Sequence, residues 1–61
     1  MNITITLNTE GAAFDDNGHE VARILVKLAK EFAREGVDDG QRILDVFGNT
    51  EGEVLITEEY Q

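Results

Sequence analysis

The chain lacks the residues on which most small enzymes and cross-linked domains depend. It has no cysteine, no serine and a single histidine, His19, among 61 residues. The absence of cysteine excludes disulfide bonds and thiolate metal sites, and the absence of serine excludes a serine nucleophile. One histidine cannot hold zinc without several well-placed carboxylates. We therefore expect no cofactor, no metal site and no enzymatic activity.

Long apolar runs and basic leader segments are also lacking. No apolar run approaches the roughly 18 residues of a membrane span. Residues 1–10 alternate apolar and polar side chains without a basic start, so we expect no signal peptide. These features predict a cytoplasmic protein that has no contact with a membrane.

Positive charge is scarce and unevenly placed. Thirteen acidic residues stand against five basic ones, which gives a net charge of −8. This charge opposes binding to nucleic acids and anionic membranes, and it favours basic protein surfaces, including those that normally bind DNA or RNA. Within residues 19–35, four cations form a basic stripe: Arg23, Lys27, Lys30 and Arg34. Outside these residues the chain has a single cation, Arg42, and ten acids.

The apolar residues follow two clear periods. Residues 2–8 alternate strictly, which predicts a half-buried strand with one apolar face. From about His19 to Glu35 the spacing is helical, and Gly36 is placed to end the helix. The residues expected to face the core from this helix are Val21, Leu25, Leu28 and Phe32.

The connection at residues 9–18 carries signals for the start of the helix. Asp16 or Asn17 can cap its free N–H groups, and Asn17 with Glu20 resembles a capping box. Phe14 is expected to fold back onto the core. On the helix surface, we expect the basic stripe to be solvated and locally paired with glutamates. Whether the basic stripe also takes part in binding stays open.

Two further strands are predicted at residues 42–47 and 53–58, joined by residues 48–52. The order strand–helix–strand–strand predicts an α+β fold. We expect a three-stranded, mostly antiparallel sheet with one helix packed on one face, as a single domain over residues 1–61. For the second strand, the preferred register turns Leu44 and Val46 inward. The opposite, open face of the sheet then carries three apolar residues: Ile43, Phe47 and Leu55.

Two functional hypotheses follow from these surfaces. In the first, carboxylates on a rigid support stand in for phosphates and bind a basic protein surface. Acids two apart on a strand, such as Glu51 and Glu53, lie roughly 6.6–6.8 Å apart. In the second, the protein is a small structural or assembly protein that self-associates through the open face, so that both monomer and homodimer are considered. Acidity that serves solubility alone is the competing interpretation of the charge. The partner-binding candidates are Glu10, Asp15, Asp16, Asp38, Asp39, Asp45, Glu51 and Glu53.

Four stretches together resemble short acidic reading frames of bacteriophages and prophages: residues 2–9, 12–14, 20–25 and 44–52. The resemblance implies a role similar to host-takeover and anti-defence inhibitors, including anti-CRISPR proteins that act as DNA mimics. It implies a bacterial host cell and, as partner, a basic subunit of a CRISPR surveillance complex. No residue role is carried over, because no defined inhibitor motif is matched.

Overall fold

The computed structural model describes residues 1–58, which form one helix and three strands. Strand β1 spans Asn2–Leu7, helix α1 spans His19–Glu35, strand β2 spans Gln41–Leu44 and strand β3 spans Thr50–Thr57. A short 3₁₀ turn at Ala12–Phe14 precedes the helix. The predicted α+β class and the order of elements are confirmed. Within the described residues, no helix combines the length and the apolarity needed to cross a membrane.

The three strands form one antiparallel sheet with β3 in the centre and the order β1-β3-β2. Val54 of β3 is opposite Ile5 of β1 on one side and opposite Gln41 of β2 on the other. Because β3 is central, β1 and β2 are the two edges of the sheet. The ladder between β2 and β3 is irregular between Ile43 and Leu44.

The core lies between α1 and the β2–β3 half of the sheet. Ile24 and Leu28 of the helix pack with Ile43 and Val54 of the sheet. Four partly buried residues surround this cluster: Leu7, Phe14, Phe32 and Val37. The expected folding back of Phe14 onto the core is therefore confirmed.

The helix is rotated relative to the prediction. Leu28 is buried as expected, but the other buried apolar residue of the helix is Ile24, and Leu25 is exposed. Gln41 of β2 donates a hydrogen bond to Glu31 of the helix (2.7 Å), so α1 lies over the β2 side of the sheet. Leu25 belongs to the flank of the helix that faces β1, by the 100° step between helical residues.

The helix ends follow the sequence signals in part. Asp16 accepts a hydrogen bond from the Glu20 N–H (3.0 Å) and so satisfies one free N–H group of the first turn as predicted, although the N-cap position itself is Gly18. The capping box of Asn17 with Glu20 is wrong, because the Glu20 side chain turns inward to other partners. At the other end, Gly36 has φ 85° and donates its N–H to Phe32 (2.9 Å). This left-handed conformation favours glycine and ends the helix as predicted.

The predicted extent and register of β2 are wrong. The strand ends at Leu44, β3 begins at Thr50, and the connection is residues 45–49. Ile43 is buried in the core, while Phe47 lies in the connection. Of the three apolar residues expected on the open face, Leu55 remains. The predicted self-association surface on that face is therefore not formed.

Candidate functional site

The loop between β2 and β3, residues 45–49, is a tight turn closed by backbone hydrogen bonds. Gly48 donates its N–H to the carbonyl of Asp45 (3.0 Å), and Asp45 donates to the carbonyl of Asn49 (2.9 Å). Gly48 has φ 85°, a conformation that non-glycine residues rarely adopt. The backbone path of the loop is therefore fixed by its own sequence.

The side chain of Asp45 holds this loop from the inside. It is only 6% exposed. Its Oδ1 accepts hydrogen bonds from the N–H groups of Phe47 and Asn49, each at 2.9 Å, and its Oδ2 accepts one from the Asn49 side chain at 3.3 Å. A carboxylate that is buried and committed in this way presents little surface to a partner. Its position inside the loop therefore does not favour the predicted role of Asp45 in partner binding.

A second buried carboxylate ties the loop to the helix. Glu20 is 4% exposed, and its Oε2 accepts hydrogen bonds from the Val46 N–H (2.7 Å) and from Arg23 Nη2 (2.9 Å). Arg23 Nε donates to Oε1 of the same carboxylate. We call residues 45–49 the braced loop, because Asp45 and Glu20 together satisfy its backbone N–H groups at Val46, Phe47 and Asn49.

The ionisation of Glu20 reflects this environment. The hydrogen bonds from Arg23 lower the pKa of Glu20 below its ordinary value, and the Val46 N–H acts in the same direction, while burial opposes them. The carboxylate of Glu20 raises the pKa of Arg23 in turn. Glu20 is therefore charged at neutral pH, where it accepts its three hydrogen bonds.

The braced loop presents large apolar side chains to solvent. Phe47 is 69% exposed and Val46 is 61% exposed, and Leu44, immediately before the loop, is also exposed. Such side chains contribute little to folding stability, because most of their surface stays in water. Exposed apolar groups that are adjacent on a fixed backbone are typical of protein interfaces.

Four of the predicted acids lie at the same end of the molecule as the braced loop. Asn8 donates its N–H to the carbonyl of Glu51 (2.7 Å), which holds the connection after β1 against the start of β3. The Glu51 carboxylate lies beside Gly11 of that connection. Asp16 caps the start of α1, where Glu20 contacts the braced loop. We call these four residues the acidic end: Glu10, Asp15, Asp16 and Glu51.

The other predicted acids are placed elsewhere, so the eight do not form one row. Asp38 and Asp39 lie at the opposite end, after α1, where Asp39 accepts a hydrogen bond from the Ile56 N–H (2.8 Å). Glu53 is on the open face of the sheet, opposite Arg42 in the register. Glu51 lies at the irregularity of the β2–β3 ladder, beside Gly11, so the two-residue spacing from Glu53 does not place both carboxylates in one row.

Part of the basic stripe is neutralised within the helix and does not offset the negative charge of the acidic end. Arg23 is paired with Glu20, and Arg34 is paired with its neighbour Glu35 (3.3 Å). Glu31, one of the helix glutamates that could pair with the basic stripe, accepts a hydrogen bond from Gln41 instead. In the described part of the chain, the acidic end has no ion pair of its own. Its charge is therefore available to a partner.

A small groove lies between the helix and β2. Its volume is about 110 Å³, well below the roughly 300–1,000 Å³ of sites for small organic ligands. No three histidine, cysteine, aspartate or glutamate side chains of residues 1–58 gather as a potential metal site. The groove is lined by Ile24, Lys27, Leu28, Glu31, Gln41, Arg42, Ile43 and Leu44.

The braced loop was missed from the sequence, although one signal was present. Aspartate followed three residues later by glycine is typical of a type I turn, and Asp45 and Gly48 have this spacing. The β-branched and aromatic residues between them favoured a strand instead. No local pattern announces the role of Glu20, because its loop partner Val46 is 26 residues away.

Comparison with protein-family models, with curated proteins and with solved structures gave no match for this chain. The function must therefore be inferred from the site itself.

Proposed function

We propose that the protein is a non-enzymatic binding protein that occupies a basic, nucleic-acid-binding surface of another protein. The observation that carries this proposal is Phe47, a largely exposed aromatic side chain on a loop whose backbone is held by two buried carboxylates. The acidic end supplies charge beside this apolar anchor. The partner that fits is a positively charged groove with an apolar recess.

The rigidity of the braced loop supports a role in binding. Ordering a flexible loop on association costs free energy, and a loop that is already ordered avoids most of that cost. Aromatic side chains are enriched among the residues that dominate the binding energy of interfaces. Phe47 meets both conditions, since it is an exposed aromatic side chain whose backbone N–H is fixed, and Val46 beside it meets the first.

The charge of the acidic end supports a basic partner. Carboxylates that lack an ion pair attract a positive surface and accelerate association. A surface that binds nucleic acid displays lysine and arginine to phosphates, and carboxylates on a rigid support can replace those phosphates. The net charge of −8 disfavours direct binding to nucleic acid itself. Within the inhibitor type that the sequence resembles, the partner would be a basic subunit of a CRISPR surveillance complex.

The test is a capture experiment that uses the full chain as bait in a bacterial lysate, with mass spectrometry as the readout. We expect bound proteins that are basic, that are released by a competing oligonucleotide and that bind less well as salt rises. Phe47→Ala should weaken binding to a purified captured protein by about tenfold or more. The substitution should leave the fold unchanged, because the side chain is exposed.

Two charge-reversed variants separate the acidic end from net charge alone. The first carries Glu10→Lys, Asp15→Lys and Glu51→Lys, and it spares Asp16 because that residue caps the helix. The matched control reverses three acids at the opposite end: Glu35→Lys, Asp38→Lys and Glu58→Lys. We expect the first variant to lose binding and the control to keep most of it. Equal losses in both variants, or unchanged binding in the first, would rule out the acidic end as the site.

A further inference from the structure

Strand β1 is an edge strand whose outer side has no partner among the described residues. Asn8, the residue after β1, donates its N–H to the carbonyl of Glu51, one step beyond the last register pair Leu7↔Gly52. The even-numbered residues of β1 therefore direct their backbone groups toward β3. Backbone direction alternates along a strand. The N–H and C=O groups of Ile3, Ile5 and Leu7 therefore point outward, as a free hydrogen-bonding edge.

This edge lacks the features by which proteins prevent strand pairing. Edge strands are usually shortened, bulged, interrupted by proline or supplied with charged residues. The sequence of β1, Asn-Ile-Thr-Ile-Thr-Leu, has neither proline nor charge, and its register with β3 is continuous. The other edge, β2, is protected: it has four residues, an irregular ladder and Arg42.

The helix side of β1 also leaves apolar surface open. Ile3 and Ile5 are on the face of the sheet that α1 covers, yet both are exposed, because the helix lies over β2 and β3. Leu25, on the helix flank that faces β1, is exposed as well. A free strand edge and an uncovered apolar strip therefore lie side by side.

We propose that a second copy of this chain covers this surface by pairing its β1 with the first β1 in antiparallel fashion. With a two-fold axis at Thr4, Ile3 of one copy is opposite Ile5 of the other, and both have outward backbone groups. The two sheets then join into one continuous sheet, and four isoleucines meet between the two helices. The surface is self-complementary, as a two-fold interface requires.

Charge complementarity favours an uncharged occupant at this strand, and β1 of a second copy is such an uncharged, apolar strip. Two molecules of net charge −8 repel each other wherever their carboxylates meet. The uncharged strand β1 is a place where they can approach without bringing carboxylates into opposition. The interface leaves the braced loop uncovered, since that loop joins the other two strands. This inference therefore goes beyond the proposed function and does not depend on it.

The test is sedimentation equilibrium of the full chain from micromolar to millimolar concentration. We expect a monomer–dimer equilibrium for the wild type. Ile5→Lys should raise the dimer dissociation constant by about tenfold or more. Leu55→Lys is the matched control, because Leu55 is 37% exposed and Ile5 is 42% exposed, but Leu55 lies on the opposite face of the sheet. The control should change the dissociation constant much less.

Backbone amide exchange of the wild-type chain provides a second readout, which does not depend on whether the lysine variant folds. In the dimer, the N–H groups of Ile3 and Ile5 should become protected as concentration rises, while those of Thr4 and Thr6 are protected throughout. The chain can also be synthesised with N-methyl-Ile5, which removes one outward donor and leaves the bonds to β3 intact. This variant should remain folded and dimerise less.

Salt separates this proposal from the preceding one. Screening should strengthen the dimer, because it reduces repulsion between like charges, but weaken binding to a basic partner. A wild-type chain that stays monomeric at millimolar concentration and high salt would overturn the dimer. So would a dimer that Leu55→Lys disrupts and Ile5→Lys does not.

Discussion

The two sides of the sheet are held by different interactions. On the β2 side, buried side chains contact the helix: Ile43 packs with Ile24 and Leu28, and Gln41 bonds to Glu31. On the β1 side, attachment depends mainly on the backbone ladder with β3, while Ile3 and Ile5 remain exposed. One helix is too narrow to cover three strands. It therefore covers the β2–β3 half of the sheet and leaves the β1 edge partly exposed.

The two halves of the sheet differ in that one is held in place by side-chain contacts and the other leaves apolar surface exposed. The covered half carries the polar contacts that fix the braced loop. The β1 half carries apolar surface that no described residue covers. Folding stability should therefore be concentrated on one side of the sheet, and further burial is available on the other.

The largest effect should come from Gly52→Ala, which tests how β1 is attached. Gly52 is opposite Leu7, and a Cβ at this position would overlap the backbone oxygen of Thr6. Because backbone cannot move aside as a side chain can, we expect a loss of about 4 kcal/mol or more in unfolding free energy. Urea denaturation measures it. Gly11→Ala is the control, since a Cβ there meets only the Glu51 side chain at 3.5 Å; equal losses in both variants would contradict this explanation.

A pair of isoleucine truncations compares the two sides directly. Ile43 is buried on the β2 side, so Ile43→Ala should cost about 2–5 kcal/mol through lost burial and a cavity. Ile5→Ala should cost clearly less in the monomer, because Ile5 is already largely in water. Urea denaturation at low protein concentration gives both values. If the two losses are similar, the helix covers β1 more closely than its contacts indicate.

The smallest effect concerns pH and again belongs to the β2 side. The pKa of Glu20 is lowered in the folded protein, so its charged form stabilises the fold above the ordinary glutamate pKa of 4.5. That contribution is lost as pH falls from this value through the lowered folded pKa. We expect the unfolding free energies of wild type and Glu20→Gln to differ most at neutral pH and to converge as pH falls below 4.5. Urea denaturation from neutral to acid pH measures both. Parallel curves would show that Glu20 does not titrate as proposed.

Much of the fold was predictable because its signals are local. Strict alternation defined β1, and helical spacing with Gly36 defined α1. The register of β2 was not predictable in the same way, because it depends on whether Asp45 caps a turn or continues a strand. The helix face was misplaced for a related reason: a buried Glu20 at its first turn is possible only when Arg23 and the braced loop supply its hydrogen bonds.

The candidate site was predictable in its charge but not in its shape. Composition indicated an acidic surface, and four of the eight candidates lie together at the acidic end. The exposed Phe47 depends on the end of β2 at Leu44, so the error in register also concealed the apolar part of the site.

The side chain of Asp39 takes the place of a strand residue at one end of the sheet. Strand β2 has four residues beside the eight of β3, so β3 extends past its neighbour at Ile56. There the Asp39 carboxylate accepts a hydrogen bond from the Ile56 N–H at 2.8 Å. This side chain therefore provides the hydrogen bond that a longer β2 would otherwise supply. Only Oδ1 of this exposed carboxylate is engaged, so a basic partner can bind Oδ2 while the bond to the main chain of β3 is kept.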